Sequence, residues 1–211
     1  HEQGNRHPVA GVKDLPAALG GAAHFNLLNA LAAIGAAREL GVSLESIRTG
    51  LSRFHGSPED NPGRLNLFEK EGVRALVDFA HNPHGMQALL KVAAAMEPDR
   101  LLVVIGQAGD RDDDSIRQLA QVTAAARPDR VIVKEMTRYL RGRSEGEVVA
   151  MLEEELLLRG VSAEAMERAS GELDAARRAL EWSRPGDLLL VICHSRRGEL
   201  LSFFQEQLVS G

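Results

Sequence analysis

From residue 73 onward the chain alternates short apolar runs with longer segments of helical periodicity. Val73 to Phe79 reads as a buried strand, and Pro83 to Met96 carries apolar positions at helical spacing. Asn82 is suited to the N-cap of that helix and Pro83 to its first turn. The pair of patterns then recurs. Leu101 to Ile105 precedes a helix from Asp113 to Ala126, and Val131 to Lys134 precedes one from Ser144 to Arg159. A short strand within Val161 to Arg168 leads to a helix from Leu173 to Trp182. Leu188 to Ile192 is the last strand, and Glu199 to Leu208 closes the chain as a helix. Strands alternating with helices predict an α/β fold with a mostly parallel sheet covered on both faces.

The first quarter of the chain differs. His1 to Gly21 is rich in glycine and proline, with a short extended piece around Val9 to Val12. Phe25 to Leu40 is an alanine-rich helix ended by Gly41. Ser43 caps a second helix that ends near Phe54, with Ser46 where a capping box prefers Glu. His55 to Gly63 holds two prolines, two glycines, Asp60 and Asn61, and the domain boundary is placed there. No internal repeat or low-complexity tract is evident.

A length of 211 residues accommodates one large domain, or one domain plus part of another. Apolar residues make up 44% and aromatics 4%, so the core belongs to Leu, Val, Ile and Ala. A formal net charge of -5 disfavours broad attraction to nucleic acid. Cys193 is the single cysteine; no intrachain disulfide can form, and a thiol packed in an apolar strand fits a reducing cytoplasm. No apolar segment approaches the ~20 residues that span a bilayer, and His1 to His7 lacks a signal-peptide core. The chain opens without methionine, which suggests a piece of a longer protein.

The chemistry gathers at the ends of the expected strands, where open α/β sheets bind their ligands. Asp78, His81 and Asn82 stand between the first strand and its helix; capping explains Asn82 but not the acid or the imidazole. Gly106-Gln107-Ala108-Gly109 reads equally as a tight turn or as a loop that admits an anion, and lacks the Lys-Ser/Thr pair of a Walker A loop. Asp110, Asp112, Asp113 and Asp114 suit the positive end of a helix, with metal ligation or a cationic substrate as alternatives. Arg138, Arg141 and Arg143 form a basic loop that is either solvated or holds phosphate or carboxylate, and His194-Ser195-Arg196-Arg197 sits equivalently after the last strand. Ser195 lacks the setting of a hydrolase nucleophile. Upstream, Asn26 and Asn29 share one face of a first helical turn, where paired amides can cap or read a purine edge. Arg64 adds a bidentate anion-binding group just past the linker.

Asn26-Leu27-Leu28-Asn29-Ala30-Leu31-Ala32-Ala33, Gly63-Arg64 and Asp78-Phe79-Ala80-His81-Asn82-Pro83, in this order, resemble the Mur ligase superfamily. Within it the likeness is to the ligase half of the cyanophycin synthetases, through Leu19-Gly20-Gly21-Ala22-Ala23, Gly63-Arg64-Leu65-Asn66-Leu67-Phe68, Gly109-Asp110-Arg111-Asp112-Asp113 and Arg141-Gly142-Arg143. The resemblance implies a Rossmann-like C-terminal domain over residues 64–211 and a linker over 58–63. Residues 1–57 would be the helical remnant of a central ATPase domain.

The resemblance further implies that Asn26 and Asn29 sit by an adenine, Arg64 by the phosphates, Asp78 by the ribose or the hinge, and His81 by the nucleotide edge. Asn82, Asp110, Arg111 and Arg138 become candidate substrate contacts. The implied reaction uses Mg²⁺ and ATP to activate a carboxylate as an acyl phosphate, which an amine then attacks; in cyanophycin synthetases that amine belongs to arginine. Acids such as Asp110 and Asp112 would suit such a cation. The implied partners are ATP and an amino-acid or peptide-polymer substrate, with self-association left open and no nucleic acid or membrane.

The family's P-loop and metal ligands lie upstream of anything present here. No complete catalytic set and no metal ligand are therefore assigned, and the isolated chain is expected to be inactive. Phe79 replaces a commoner Tyr, Cys193-His194-Ser195-Arg196 stands where many muramoyl ligases carry Gly-Lys-Gly-His, and Lys134 to Arg138 lacks the Asp-Asn-Pro-Arg pattern of diaminopimelate-adding enzymes. The amino-acid substrate is thereby left open. The alternative is a nucleotide-binding or assembly module that keeps the fold without the reaction.

Overall fold

The computed structural model describes residues 7–209, so the polar opening of the chain lies outside them. The chain divides into two compact units between Asp60 and Asn61. In the first, 3-10 turns at Val12–Asp14 and Pro16–Gly21 lead to α1 (His24–Glu39) and α2 (Leu44–Arg53). The extended piece expected around Val9 to Val12 ends at Gly11, itself extended, because Val12 opens a 3-10 turn closed by Asp14 N–H donating to Gly11 O at 3.0 Å. Gly41 leaves α1 at φ +78°, and the Ser43 hydroxyl caps α2 by accepting from Ser46 N–H at 3.1 Å. The core of this unit is slight: among the described residues Ala18, Ala23 and Ile47 are its buried apolar residues, while Leu28 and Leu31 on α1 are 55% and 64% exposed.

The second unit is built on six strands: β1 (Asn66–Lys70), β2 (Val73–Asp78), β3 (Arg100–Ile105), β4 (Arg130–Lys134), β5 (Met166–Ala169) and β6 (Asp187–Ile192). Their order in the sheet is β1-β2-β6-β3-β4-β5, with β1 antiparallel and every other pair parallel. Strand β1 is the element that the reading of the sequence missed. It pairs with β2 through a two-residue turn, Glu71-Gly72, both at positive φ as a type I′ hairpin requires. The adjacent Leu67 and Phe68 blur its alternation, and Glu is an unusual first residue for such a turn.

The helices are α3 (Pro83–Ala95), α4 (Asp113–Ala125), α5 (Glu147–Leu158), α6 (Glu172–Trp182) and α7 (Arg197–Leu208). From β2 the chain steps to β3, β4 and β5 in one direction, then returns to insert β6 between β2 and β3. Right-handed crossovers put α3, α4 and α5 on one face and the return helix α6 on the other. There α6 and α7 enclose a core that includes Phe68, Val77, Leu102, Val104, Val191 and Phe204. Strands β3 and β6 are buried almost throughout, which is why they read as unbroken apolar runs.

A local repeat that the sequence reading passed over marks the far end of the sheet. Pro98-Asp99-Arg100 and Pro128-Asp129-Arg130 each follow a residue at positive φ, Glu97 and Arg127, and each turns a helix into a strand. Arg100 there holds the buried Asp187 carboxylate through Nε at 2.9 Å and Nη2 at 2.5 Å, and stacks 3.8 Å over the Trp182 ring. This end is pinned by structural pairs.

Candidate active site

At the carboxyl end of β2, the turn over residues 61–65 is bound from below by two buried side chains. Asn66 accepts from Gly63 N–H at 2.6 Å and donates to Asn61 O at 3.1 Å. Asp78 Oδ2 accepts from Leu65 N–H at 2.9 Å. Gly63 and Leu65 both stand in the left-handed region, at φ +72° and +55°. For leucine that conformation is costly and persists only where the surroundings impose it. Between them the exposed Arg64 is held out, its guanidinium 4.8 Å from the Phe79 ring centroid. Burial raises the Asp78 pKa, offset by the Leu65 N–H, the Arg64 charge and the N–H groups of Ala80 and Phe79. Asp78 is thus spent on the turn that aims Arg64, and its 7% exposure leaves it little contact of its own with a ligand.

Phe79 is the hub of this corner. His81 lies 5.5 Å from it, His194 5.4 Å in an edge-on arrangement, and Arg197 5.7 Å. His194 Nε2 faces Ala80 O at 3.1 Å, and a carbonyl can only accept, so Nε2 carries the proton. Burial, helped by the Lys134 charge, lowers the His194 pKa to about 3, so the ring is neutral at physiological pH. Burial pushes the neighbouring Cys193 thiol up to about 11, which makes it a packing group and not a nucleophile. His81 is exposed, and its carbonyl accepts from Gln107 Nε2 at 3.3 Å. Asn82 caps α3 through Gly85 N–H at 2.8 Å.

Beneath the loop after β6 lies a buried ion pair that the sequence reading did not single out. Lys134 Nζ, from the end of β4, reaches Glu172 Oε1 at 2.8 Å and Ile192 O at 2.5 Å. Its stem crosses Gly106, where a Cβ would stand 2.7 Å from Lys134 Cγ. Glu172 accepts the N–H groups of His194, Ser195 and Arg196 at 2.5, 3.0 and 2.7 Å. Burial pushes this carboxyl up, but the Lys134 ammonium and the backbone donors bring it down to about 2. Burial also pulls Lys134 below the ordinary lysine range, an effect that the charge of Glu172 and its hydrogen bond oppose. The signals were a lysine ending a Val-Ile-Val strand and an acid opening α6, the second of which reads equally as a dipole partner.

The loops after β3 and β4 are stitched together. Gly109 N–H donates to Tyr139 O at 2.8 Å, and Arg143 donates to Gly109 O, Arg111 O, Asp113 and Glu147. Arg141 pairs with Asp110, and Asp112 caps α4 through Ser115 N–H at 2.7 Å. Asp110 and Asp112, expected to suit a cationic substrate, are therefore already engaged. With Phe79, His81 and His194 these loops line a hollow of about 310 Å³ that also presents Arg111, Tyr139 and Arg141. Arg138 is exposed on the same loop. A Cβ on Gly109 would stand 2.0 Å from the Leu140 carbonyl oxygen, so Gly109→Ala must part the two loops. It is expected to lower the thermal midpoint by several degrees, at a cost of roughly 2 kcal/mol or more. A midpoint unchanged by calorimetry would show that the stitching is dispensable.

Asn26 and Asn29 lie in the first unit. Asn26 Nδ2 donates to Ala17 O at 2.7 Å, and its Oδ1 accepts from Asn29 Nδ2 at 3.3 Å. The two amides form one linked pair on α1. Among the described residues no group of three or more His, Cys, Asp or Glu is placed to hold a metal, and no helix is long and apolar enough to cross a membrane.

The domain is thus a mostly parallel sheet with one antiparallel edge strand, carrying arginines and histidines at the carboxyl ends of its strands, where open α/β sheets bind their ligands. The chain belongs to the Mur ligase family: the model described as "Mur ligase, glutamate ligase domain" matches residues 63–193. It is similar to the cyanophycin synthetase of Crocosphaera subtropica, 36% identical over 182 residues, covering 86% of this chain and 20% of that protein. In fold it is similar to the UDP-N-acetylmuramate–alanine ligase of Thermotoga maritima, with TM-score 0.62 and 19% identity over 87% of this chain and 37% of that one. E. coli FolC in complex with ADP gives TM-score 0.61 and 24% identity over 85% and 38%. This chain spans about a fifth of the length of the cyanophycin synthetases it matches.

Proposed function

We propose that the strand-end face of residues 61–209 is one wall of the ATP site of an amide-forming ligase. The remaining walls and the P-loop would be supplied by upstream sequence. The observation that carries this reading is Arg64: an exposed guanidinium set on a strained, doubly pinned turn, without a carboxylate ion pair among the described residues, at the strand ends where open α/β sheets bind ligands. The free guanidinium fits a phosphate. Asn26 and Asn29 would serve the adenine and His81 the nucleotide edge, while Asp78 acts through Leu65 by positioning Arg64.

In this reading Arg64 offsets charge on the phosphoryl group as it passes to a substrate carboxylate. The amine of the second substrate then forms the C–N bond as the carbon–oxygen bond to phosphate breaks, and a proton and inorganic phosphate leave. Mg²⁺ would be held by upstream residues, and residues 1–57 would complete that ATPase domain. Arg111, which lines the 310 Å³ hollow, and Arg138, exposed on the loop after β4, suit the carboxylate of the incoming amino acid. With Asp110 and Asp112 already engaged, recognition of a cationic side chain falls to other groups.

The test is phosphate release from ATP by the full-length protein, presented with a panel of amino acids and acidic acceptors. Release that depends on both an acceptor and an amine, with none from the 211-residue chain alone, is the expected result. Release indifferent to every amine, or none at all, contradicts the ligase reading.

A further inference from the structure

Arg196 and Arg197 open α7 side by side, yet they are treated differently. Arg196 is neutralised by Glu199 through two contacts at 2.9 and 2.6 Å. Among the described residues Arg197 has no carboxylate ion pair, and its Nη1 donates to Pro62 O at 3.3 Å. Its stem lies across Gly63, where a Cβ would stand 2.7 Å from Cδ and 2.9 Å from Cγ. Gly63 is thus required twice, by its φ of +72° and by the space Arg197 occupies. The result brings Arg197 and Arg64 to one ring, with guanidinium carbons 5.7 and 4.8 Å from the Phe79 centroid.

Both cations are exposed at one aromatic, and the nearby acid Asp78 is buried and bound to Leu65, so an anion arriving at this corner meets two positive charges. The main chain of the loop before α7 offers an anion little, because Glu172 takes the N–H groups of His194, Ser195 and Arg196.

We propose that Arg197 and Arg64 form a two-arginine clamp for the terminal phosphates of a polyphosphate ligand, with Phe79 beside both and Glu172 fixing the loop that delivers Arg197. This deepens the ATP-site reading and rests on it for the role of Arg64.

The test is titration of the 211-residue chain with inorganic tripolyphosphate and, separately, with ATP at low ionic strength, by calorimetry. Arg197→Met keeps the stem over Gly63 and removes the charge; Arg197→Lys restores a charge without the fork. Arg184→Ala, at the opposite end of the sheet, is the control. The clamp predicts binding weakened about tenfold or more in Arg197→Met, partly recovered in Arg197→Lys, and unchanged in Arg184→Ala, with all variants keeping the wild-type thermal midpoint within a few degrees. Wild-type affinity in Arg197→Met together with a loss in Arg64→Ala overturns the clamp and leaves Arg64 as a lone phosphate contact. Failure of the wild-type chain to bind either probe also overturns the clamp, while Arg64 is still judged by turnover in the full-length protein.

Discussion

Lys134→Met is expected to destabilise the α/β unit by about 3–5 kcal/mol, the usual cost of removing one partner from a buried ion pair. The wild-type pair is enclosed, with the Lys134 side chain fully buried and that of Glu172 2% exposed. Methionine fills similar volume, so the loss is electrostatic: Glu172 is left ionised in the interior with only backbone donors. Glu172→Gln on top of Lys134→Met should recover part of the loss, because the amide oxygen still accepts from the loop while the buried charge is gone.

The pH dependence has a definite sign. Glu172 is held to about 2 in the folded state, below its ordinary value. Its stabilising contribution is therefore complete above about pH 4.5 and is lost as pH falls toward 2. In Lys134→Met the opposite trend is expected between pH 7 and 4, where protonating the stranded carboxyl brings the variant closer to wild type. Urea unfolding across this range checks both. A Lys134→Met variant within 1 kcal/mol of wild type and flat with pH would remove the pair from the account.

Much of this architecture can be read from sequence because its causes are local. The apolar strands alternate with amphipathic helices, Asn82-Pro83 starts α3, Ser43 starts α2, and the strand ends carry the polar groups. What escaped depends on tertiary placement. Strand β1 exists because its partner β2 supplies the ladder, not because Asn66 to Lys70 alternates cleanly. Lys134 and Glu172 lie 38 residues apart, and nothing local announces that they meet. The arginines show the same limit. Arg138, Arg141 and Arg143 look equivalent in sequence, but Arg143 staples two loops, Arg141 is matched by Asp110, and Arg138 is exposed. Arg197 gains its place only through Gly63, far upstream in the chain. The acids after β3 sit at the start of α4 as their spacing suggests, with Asp112 as its N-cap and Asp113 and Asp114 in its first turn, but their pairing with Arg141 and Arg143 on the loop after β4 is tertiary.

The second large effect concerns Arg64 itself. Asn66 and Asp78 hold its turn whether or not the guanidinium is present, so Arg64→Ala should leave the fold intact while removing a charge aimed at the phosphates. Loss of one such donor from a phosphoryl-transfer site costs on the order of 10²–10³ in kcat. The decisive measurement is steady-state phosphate release coupled to amide formation by the full-length protein, wild type against Arg64→Ala, with the thermal midpoint of each recorded. One wall of an ATP-dependent ligase site predicts a fall of about a hundredfold or more in kcat, at a midpoint within a few degrees of wild type. An Arg64→Ala protein that releases phosphate and forms product at the wild-type rate would contradict it.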